Sequence, residues 1–246
     1  MHIPARLIGA LVALTCTPWM LTPREAAARA SWSHETIGAV WARPLVLGGR
    51  TPQIVVGAED GFLHSFAPGG RLRWSYKASD GFSGWPAAVG RGPRRLIAVT
   101  NRNGSLYLFE PDGDTRARVE LGGAAAGPPA VHGQTVFVGT DGGRAVAANL
   151  QGIRWYADLG SPVTAYPALD AARERVVYGT ADGAVHCFDL AGKRLWRAST
   201  GGSAVQGGMV ARRGRVTVAT AAGAVIQLGE GGAERWRRKF EPLVAG

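Results

Sequence analysis

The chain has 246 residues, 36 of them Gly and 14 Pro, and a formal charge of +10 carried almost wholly by Arg. With 46% apolar and 19% charged residues it has the composition of a folded domain, which excludes a disordered tail. The basic excess suits contact with anionic surfaces, but no Lys/Arg run is interleaved with aromatics, so nucleic-acid binding is not expected.

The first thirty residues read as a targeting segment. Arg6 supplies a short positive region, and residues 7–21 are mostly apolar, the length of a signal-peptide core and short for a bilayer span. Ala28-Arg29-Ala30 then offers an A-x-A cleavage site before Ser31. Residues 1–30 are therefore expected to be a signal peptide. Residues 31–246 are expected to be a periplasmic or secreted domain with no transmembrane helix in the mature chain. Two other readings keep the segment as an attached hydrophobic helix or make Cys16 a lipid-anchored cysteine. Ala13-Leu14-Thr15 departs from a lipobox, because its large apolar residue sits one place late. After cleavage only Cys187 remains, which excludes an intramolecular disulfide and a Cys-rich metal site.

Five segments then repeat one pattern: VVGAEDGFLHSF from Val55, AVTNRNGSLYLF from Ala98, FVGTDGGRAVAA from Phe137, VYGTADGAVHCF from Val177 and VATAAGAVIQL from Val218. Their shared glycines are Gly61, Gly104, Gly143, Gly183 and Gly223, at spacings of 43, 39, 40 and 40. A tryptophan follows thirteen residues on at Trp74, Trp196 and Trp236, and twelve on at Trp155; Ala117 takes that place in the second repeat. Twelve residues further stand Pro86, Pro129 and Pro167, with Gly208 in the fourth case, and Trp32 to Pro44 has the same spacing.

Each glycine closes a hairpin. Asp60-Gly61, Asn103-Gly104, Gly142-Gly143 and Asp182-Gly183 are expected to be two-residue type I′ turns, whose central positions both need positive φ. The strand before each turn is nearly all apolar, as in Leu96-Ile97-Ala98-Val99, which implies cover on both faces. A four-stranded sheet cannot cover both of its faces alone, but radial stacking can. The expected fold is all-β: a β-propeller of about five four-stranded blades, closed or nearly closed, with an open arc of a larger propeller as the alternative. Trp32 and Trp236 lie five periods apart in the same phase. A closed ring therefore needs only one of the two outer strands.

These residues resemble the pyrroloquinoline-quinone-type propeller repeat, whose blades carry a GT-x-DG-x-LYALD strand pair followed by TG-x-x-x-W. GTADGAVHCFDLAGKRLW, residues 179–196, is the closest copy, and the likeness spans residues 32 to about 240. The resemblance implies a choice between two branches. Quinoprotein alcohol dehydrogenases are much longer, with a bound quinone, calcium ligands, a catalytic Asp and a vicinal disulfide. This chain has no adjacent cysteines, and no Asp matches the catalytic one. The other branch holds non-catalytic exported propellers, among them the outer-membrane protein assembly factor BamB, whose loops dock partners.

The remaining candidates are few. His64 and His186 sit three residues after a hairpin glycine, where Tyr107 stands in the second repeat, so packing accounts for them. Asp112-Gly113-Asp114 has too few acidic residues for a calcium loop, and neither a G-x-S-x-G nor a phosphate-binding loop occurs. Trp41 lies three residues before Pro44, and Trp85 stands directly before Pro86, as Tyr166 does before Pro167; such aromatics can face one end of the central channel. Arg94, Arg95, Arg212 and Arg213 lie between the first and second strands of their units, where repeated loops emerge on one face. The expectation is a non-catalytic exported scaffold with no cofactor and no metal, docking a protein or an anionic envelope polymer. A quinoprotein-type enzyme or accessory and a truncated propeller without independent role are the alternatives.

Overall fold

The computed structural model describes residues 32–49, 51–82, 84–92 and 95–240. The signal segment, Cys16 and Arg94 lie outside the described residues. Five four-stranded antiparallel sheets follow one another, each in simple sequence order. Blade one holds β1 (Leu45–Leu47), β2 (Gln53–Gly57), β3 (Phe62–Phe66) and β4 (Leu72–Lys77). Blade two holds β5 (Ala87–Val89), β6 (Leu96–Thr100), β7 (Ser105–Phe109) and β8 (Thr115–Glu120). Blade three holds β9 (Ala130–His132), β10 (Thr135–Gly139), β11 (Arg144–Asn149) and β12 (Gly152–Asp158). A linker strand β13 (Ala165–Tyr166) precedes blade four, β14 (Ala168–Asp170), β15 (Arg175–Gly179), β16 (Ala184–Asp189) and β17 (Arg194–Ser199). A second linker strand, β18 (Gly207–Gly208), pairs in parallel with β13. Blade five is β19 (Val210–Arg212), β20 (Arg215–Ala219), β21 (Ala224–Leu228) and β22 (Glu234–Lys239).

The hairpin glycines all have positive φ, from +75° at Gly223 to +86° at Gly104. The residue before each does not, which corrects the type I′ expectation. In every blade the glycine N–H donates four-residue-turn fashion, as Gly61 to the Ala58 carbonyl at 3.1 Å, while Ala58 N–H reaches the Phe62 carbonyl at 2.9 Å. This is a type I turn closed by a left-handed residue, a three-residue loop that needs positive φ only at the glycine. Asp60 serves it as an acceptor, taking the N–H of Phe62 at 3.0 Å.

Apolar strands are buried because blades stack face to face. Blades one and two share a cluster of Val55, Leu63, Ile97, Val99 and Phe109. Leu106, Leu108, Val136 and Val138 join blades two and three. Phe137, Ala147, Val176 and Phe188 join three and four. Val177, Cys187, Val218 and Ile226 join four and five. Backbone hydrogen bonds reinforce each joint: each hairpin turn donates to the linker of the preceding blade, as Arg102 to Gly81 and Ala181 to Pro162, both 2.9 Å.

Four clusters serve four joints, and among the described residues none joins blade five to blade one. The expected all-β propeller of five four-stranded blades is borne out. Both terminal segments are used. β22 completes blade five, while Trp32 packs at a tilt on Phe66 of blade one with ring centroids 5.3 Å apart and donates to the Pro68 carbonyl at 3.0 Å. The segment from Trp32 thus covers blade one in the manner of a preceding blade. Glu59 N–H donates to the Ala39 carbonyl at 3.0 Å, repeating the turn-to-linker bond of the other joints.

Candidate functional site

Antiparallel blades place their loops alternately. Blade-to-blade linkers and second–third strand turns lie at one end; first–second and third–fourth loops lie at the other. The innermost strands β1, β5, β9, β14 and β19 follow one another about the axis. At the linker end the aromatics singled out by spacing come together. Trp85 meets Tyr166 edge to face, centroids 5.4 Å apart at 77°. The Arg43 guanidinium lies 5.5 Å from the Trp85 ring centroid. A cleft of about 180 Å³ is lined here by Trp41, Phe82, Trp85, Pro128 and Tyr166, with the Glu59–Arg102 ion pair at its edge. Trp41 is 80% exposed.

Glycine makes this close approach possible. A side chain at Gly127 would meet the Tyr166 ring, and one at Gly84 would meet the Pro128 backbone. The linkers of blades two, three and four therefore interlock where bulkier residues would hold them apart. Pro128 lines this cleft and Arg43 lies against its Trp85; both stand directly before their unit's proline, the place that Trp85 and Tyr166 hold in theirs.

The arginines occupy the opposite end and do not form one patch. Arg95 donates to the Gly48 carbonyl at 2.6 Å and lines a cleft between blades one and two. Arg212 and Arg213 line a separate cleft on blade five with Arg215. Arg213 stands at a turn with φ +52°. Topology thus sets Trp41 and Trp85 apart from Arg95, Arg212 and Arg213.

The structural residues fall into one repeating contact. Trp74 donates to Pro111 and Trp155 to Leu190, each at 3.0 Å, as Trp32 does to Pro68. Each ring covers a turn glycine of the following blade: Gly70, Gly113, Gly192 and, under Trp196, Gly232. Trp196 has no acceptor for its buried Nε1. In the second repeat Ala117 replaces Trp, and Gly152 opposite it meets open space. Trp236 has no following blade among the described residues and is 38% exposed.

The histidines are packed in the blades. His64 Nδ1 lies 2.7 Å from Ser75 Oγ, and its ring stacks on Phe62. Burial, then the neighbouring His34, lowers its pKa. His186 is fully buried with neither ring nitrogen bonded, and burial first, then Arg194 and Arg197, pushes its pKa down to about 4. Burial pushes the Cys187 thiol up to about 11. Among the described residues no three His, Cys, Asp or Glu side chains are grouped to hold a metal ion, and no helix is long and apolar enough to cross a membrane.

A radially repeated four-stranded blade, stapled by tryptophan to the next, defines a β-propeller of the pyrroloquinoline-quinone-repeat class. The family model described as outer membrane protein assembly factor BamB matches residues 102–191 and 181–246, and the chain belongs to that family. No curated protein matches it in sequence. Among solved structures it is similar to BamB from Moraxella catarrhalis, at 16% identity and TM-score 0.54, over 82% of this chain and 76% of that one. It is also similar to the computationally designed Ika8 protein, at 19% identity and TM-score 0.64 over 81% of this chain. Saccharomyces cerevisiae Sqt1 matches at 11% identity and TM-score 0.66 over 76% of this chain. The chain spans 61% of Ika8 and 58% of Sqt1. At these identities the likeness is one of fold.

Proposed function

We propose that this chain is a non-catalytic exported scaffold that docks a protein partner of the cell envelope at the linker end of its propeller. The observation that carries this reading is the gathering of Trp41, Trp85, Tyr166 and Arg43 about one cleft. Trp, Tyr and Arg are the residues in which binding energy concentrates at protein interfaces. An 80%-exposed Trp41 beside a half-buried aromatic pair is placed to be covered by a partner. Family membership supports the docking role, and the apolar segment before Ser31 supports export.

The quinoprotein alternative asks for a calcium ligand set, and the described residues do not group the carboxylates it needs. A photo-crosslinking residue placed at Trp41 in the full chain tests docking in the native cell. A discrete adduct that disappears in Trp85→Ala supports the scaffold. Stoichiometric uptake of pyrroloquinoline quinone with calcium, with dye-linked alcohol oxidation, would overturn it.

A further inference from the structure

The outward face of blade five carries a partly exposed polar middle, whereas the Ser65–Gln53 pair on the same face of blade one is buried. Strand alternation and register set Val210, Thr217, Gln227 and Trp236 in one row across β19, β20, β21 and β22. In blade four that row is Ala168, Val177, Cys187 and Trp196, and it is packed against blade five. In blade two it is Ala87, Ala98, Leu108 and Ala117, of which the last three pack against blade three. Blade five thus keeps the tryptophan but replaces the apolar middle of the row by a hydroxyl and an amide. Gln227 Nε2 reaches Thr217 Oγ1 at 3.4 Å.

Cations flank the row. Arg212 and Arg215 pair across the β19–β20 hairpin on this same face, with Arg213 in the turn, and Arg238 lies on it at the far end. A cleft of about 370 Å³ is lined by Val210, Arg212, Arg213, Arg215, Thr217 and Gln227. No carboxylate lines it, and among the described residues none of these arginines has an ion-pair partner. Among the described residues the charged side chains of this face carry one sign only.

We propose that the blade-five face binds an acidic polysaccharide, a polymer of uronate-bearing or phosphate-bearing sugars. The exposed side of Trp236 is a flat platform for a sugar ring. Gln227 and Thr217 offer donors and acceptors to hydroxyls, and the guanidiniums offer forked donors to carboxylate or phosphate. A protein partner fits less well, because Val210 and Trp236 stand at opposite ends of the row with polar groups between them, leaving no contiguous apolar centre. The inference deepens the scaffold reading and rests on it, but it uses a different face from the Trp41–Trp85 cleft.

The test is binding of the full chain to polygalacturonate, with neutral dextran as control, at near-physiological salt of about 0.15 M where long-range attraction is screened. Arg212→Glu/Arg215→Glu is expected to weaken binding at least about tenfold, since two charge-assisted contacts become repulsive. Trp236→Ala is expected to weaken it about threefold or more. Arg71→Glu/Arg91→Glu carries the same charge change on exposed positions elsewhere and is expected to stay within about twofold. Arg212→Gln/Arg215→Gln repeats the test should charge reversal disturb folding. Absence of binding overturns the proposal. So does equal weakening by the remote pair, or equal competition by anionic phospholipid vesicles or single-stranded DNA, which would reduce the effect to net charge. The crosslink at position 41 is followed in the same variants: its survival when polymer binding fails separates this inference from the scaffold reading.

Discussion

Trp74 rests on Gly113. Its indole Nε1 donates to the Pro111 carbonyl at 3.0 Å, and a methyl group added at Gly113 would lie 2.8 Å from the ring. Gly113 has φ +103°, so it is held by two constraints at once, backbone conformation and the lack of room under the indole. Gly152, φ +112°, has only the first. Gly152→Ala is expected to cost about 1–2 kcal/mol from backbone strain alone, and Gly113→Ala about 2–4 kcal/mol because overpacking is added. Thermal unfolding of the two variants checks this; equal losses would remove the tryptophan from the account.

The two tryptophans at the ends of the array should differ. Trp32 packs at a tilt on Phe66 and has a hydrogen-bond acceptor; Trp236 has neither a following blade nor an acceptor among the described residues. Trp32→Ala is expected to destabilise by about 2–3 kcal/mol, as burial and a hydrogen bond are lost, and Trp236→Ala by less than about 1 kcal/mol. The comparison is made by denaturant titration of both variants, and a reversed order would show that the N-terminal segment does not seal blade one.

Acid should weaken blade four. His186 is neutral when folded, with a pKa of about 4 against 6.5 in the unfolded chain. Between these values the unfolded state binds the extra proton, so its contribution is complete above pH 6.5 and is lost as pH falls toward 4. The full loss is about 3 kcal/mol. His186→Val, which copies Val146 at the same place in blade three, is expected to flatten the fall in melting temperature across this window while leaving neutral-pH stability similar. An unaltered slope would assign the acid sensitivity elsewhere.

Cys187 should be silent until the chain unfolds. It is buried in the joint between blades four and five, and burial pushes its thiol up to about 11, so little thiolate exists at pH 8. In the Cys16→Ser chain, a thiol reagent at that pH is expected to label nothing in the native protein and one equivalent in denaturant. Rapid native labelling would mean that this joint opens.

The strands and their joints were legible because the sequence states them five times over. Gly61, Gly104, Gly143, Gly183 and Gly223 all fall in hairpins, and the apolar strands before them are buried. The turn type was not legible: Asp60-Gly61 suits a type I′ turn by composition, but the hydrogen bond from Gly61 to Ala58 selects another. Which blade each terminal tryptophan serves was not legible either, since Trp32 and Trp236 are equivalent in sequence and only packing distinguishes them. Of the candidate contacts, Trp41 and Trp85, singled out by their place before the unit's proline, line one cleft. The Arg95 and Arg212–Arg213 group was divided by topology, which places equivalent loops on one end yet on distant blades. The polar row on blade five was readable in hindsight, because Thr217 and Gln227 break a column that is Val177 and Cys187 one repeat earlier.

The joint between blades two and three is the one that lost its indole, at Ala117 and Gly152. It keeps its oily filling but not the rivet through its rim. A chain pulled from its two ends would be expected to part there first, leaving blades three to five as the sturdier piece. Amide exchange at the outer edge of blade two should accordingly run faster than at the matching edges of blades one and three. A single worn rivet would then decide along which line the whole wheel comes apart.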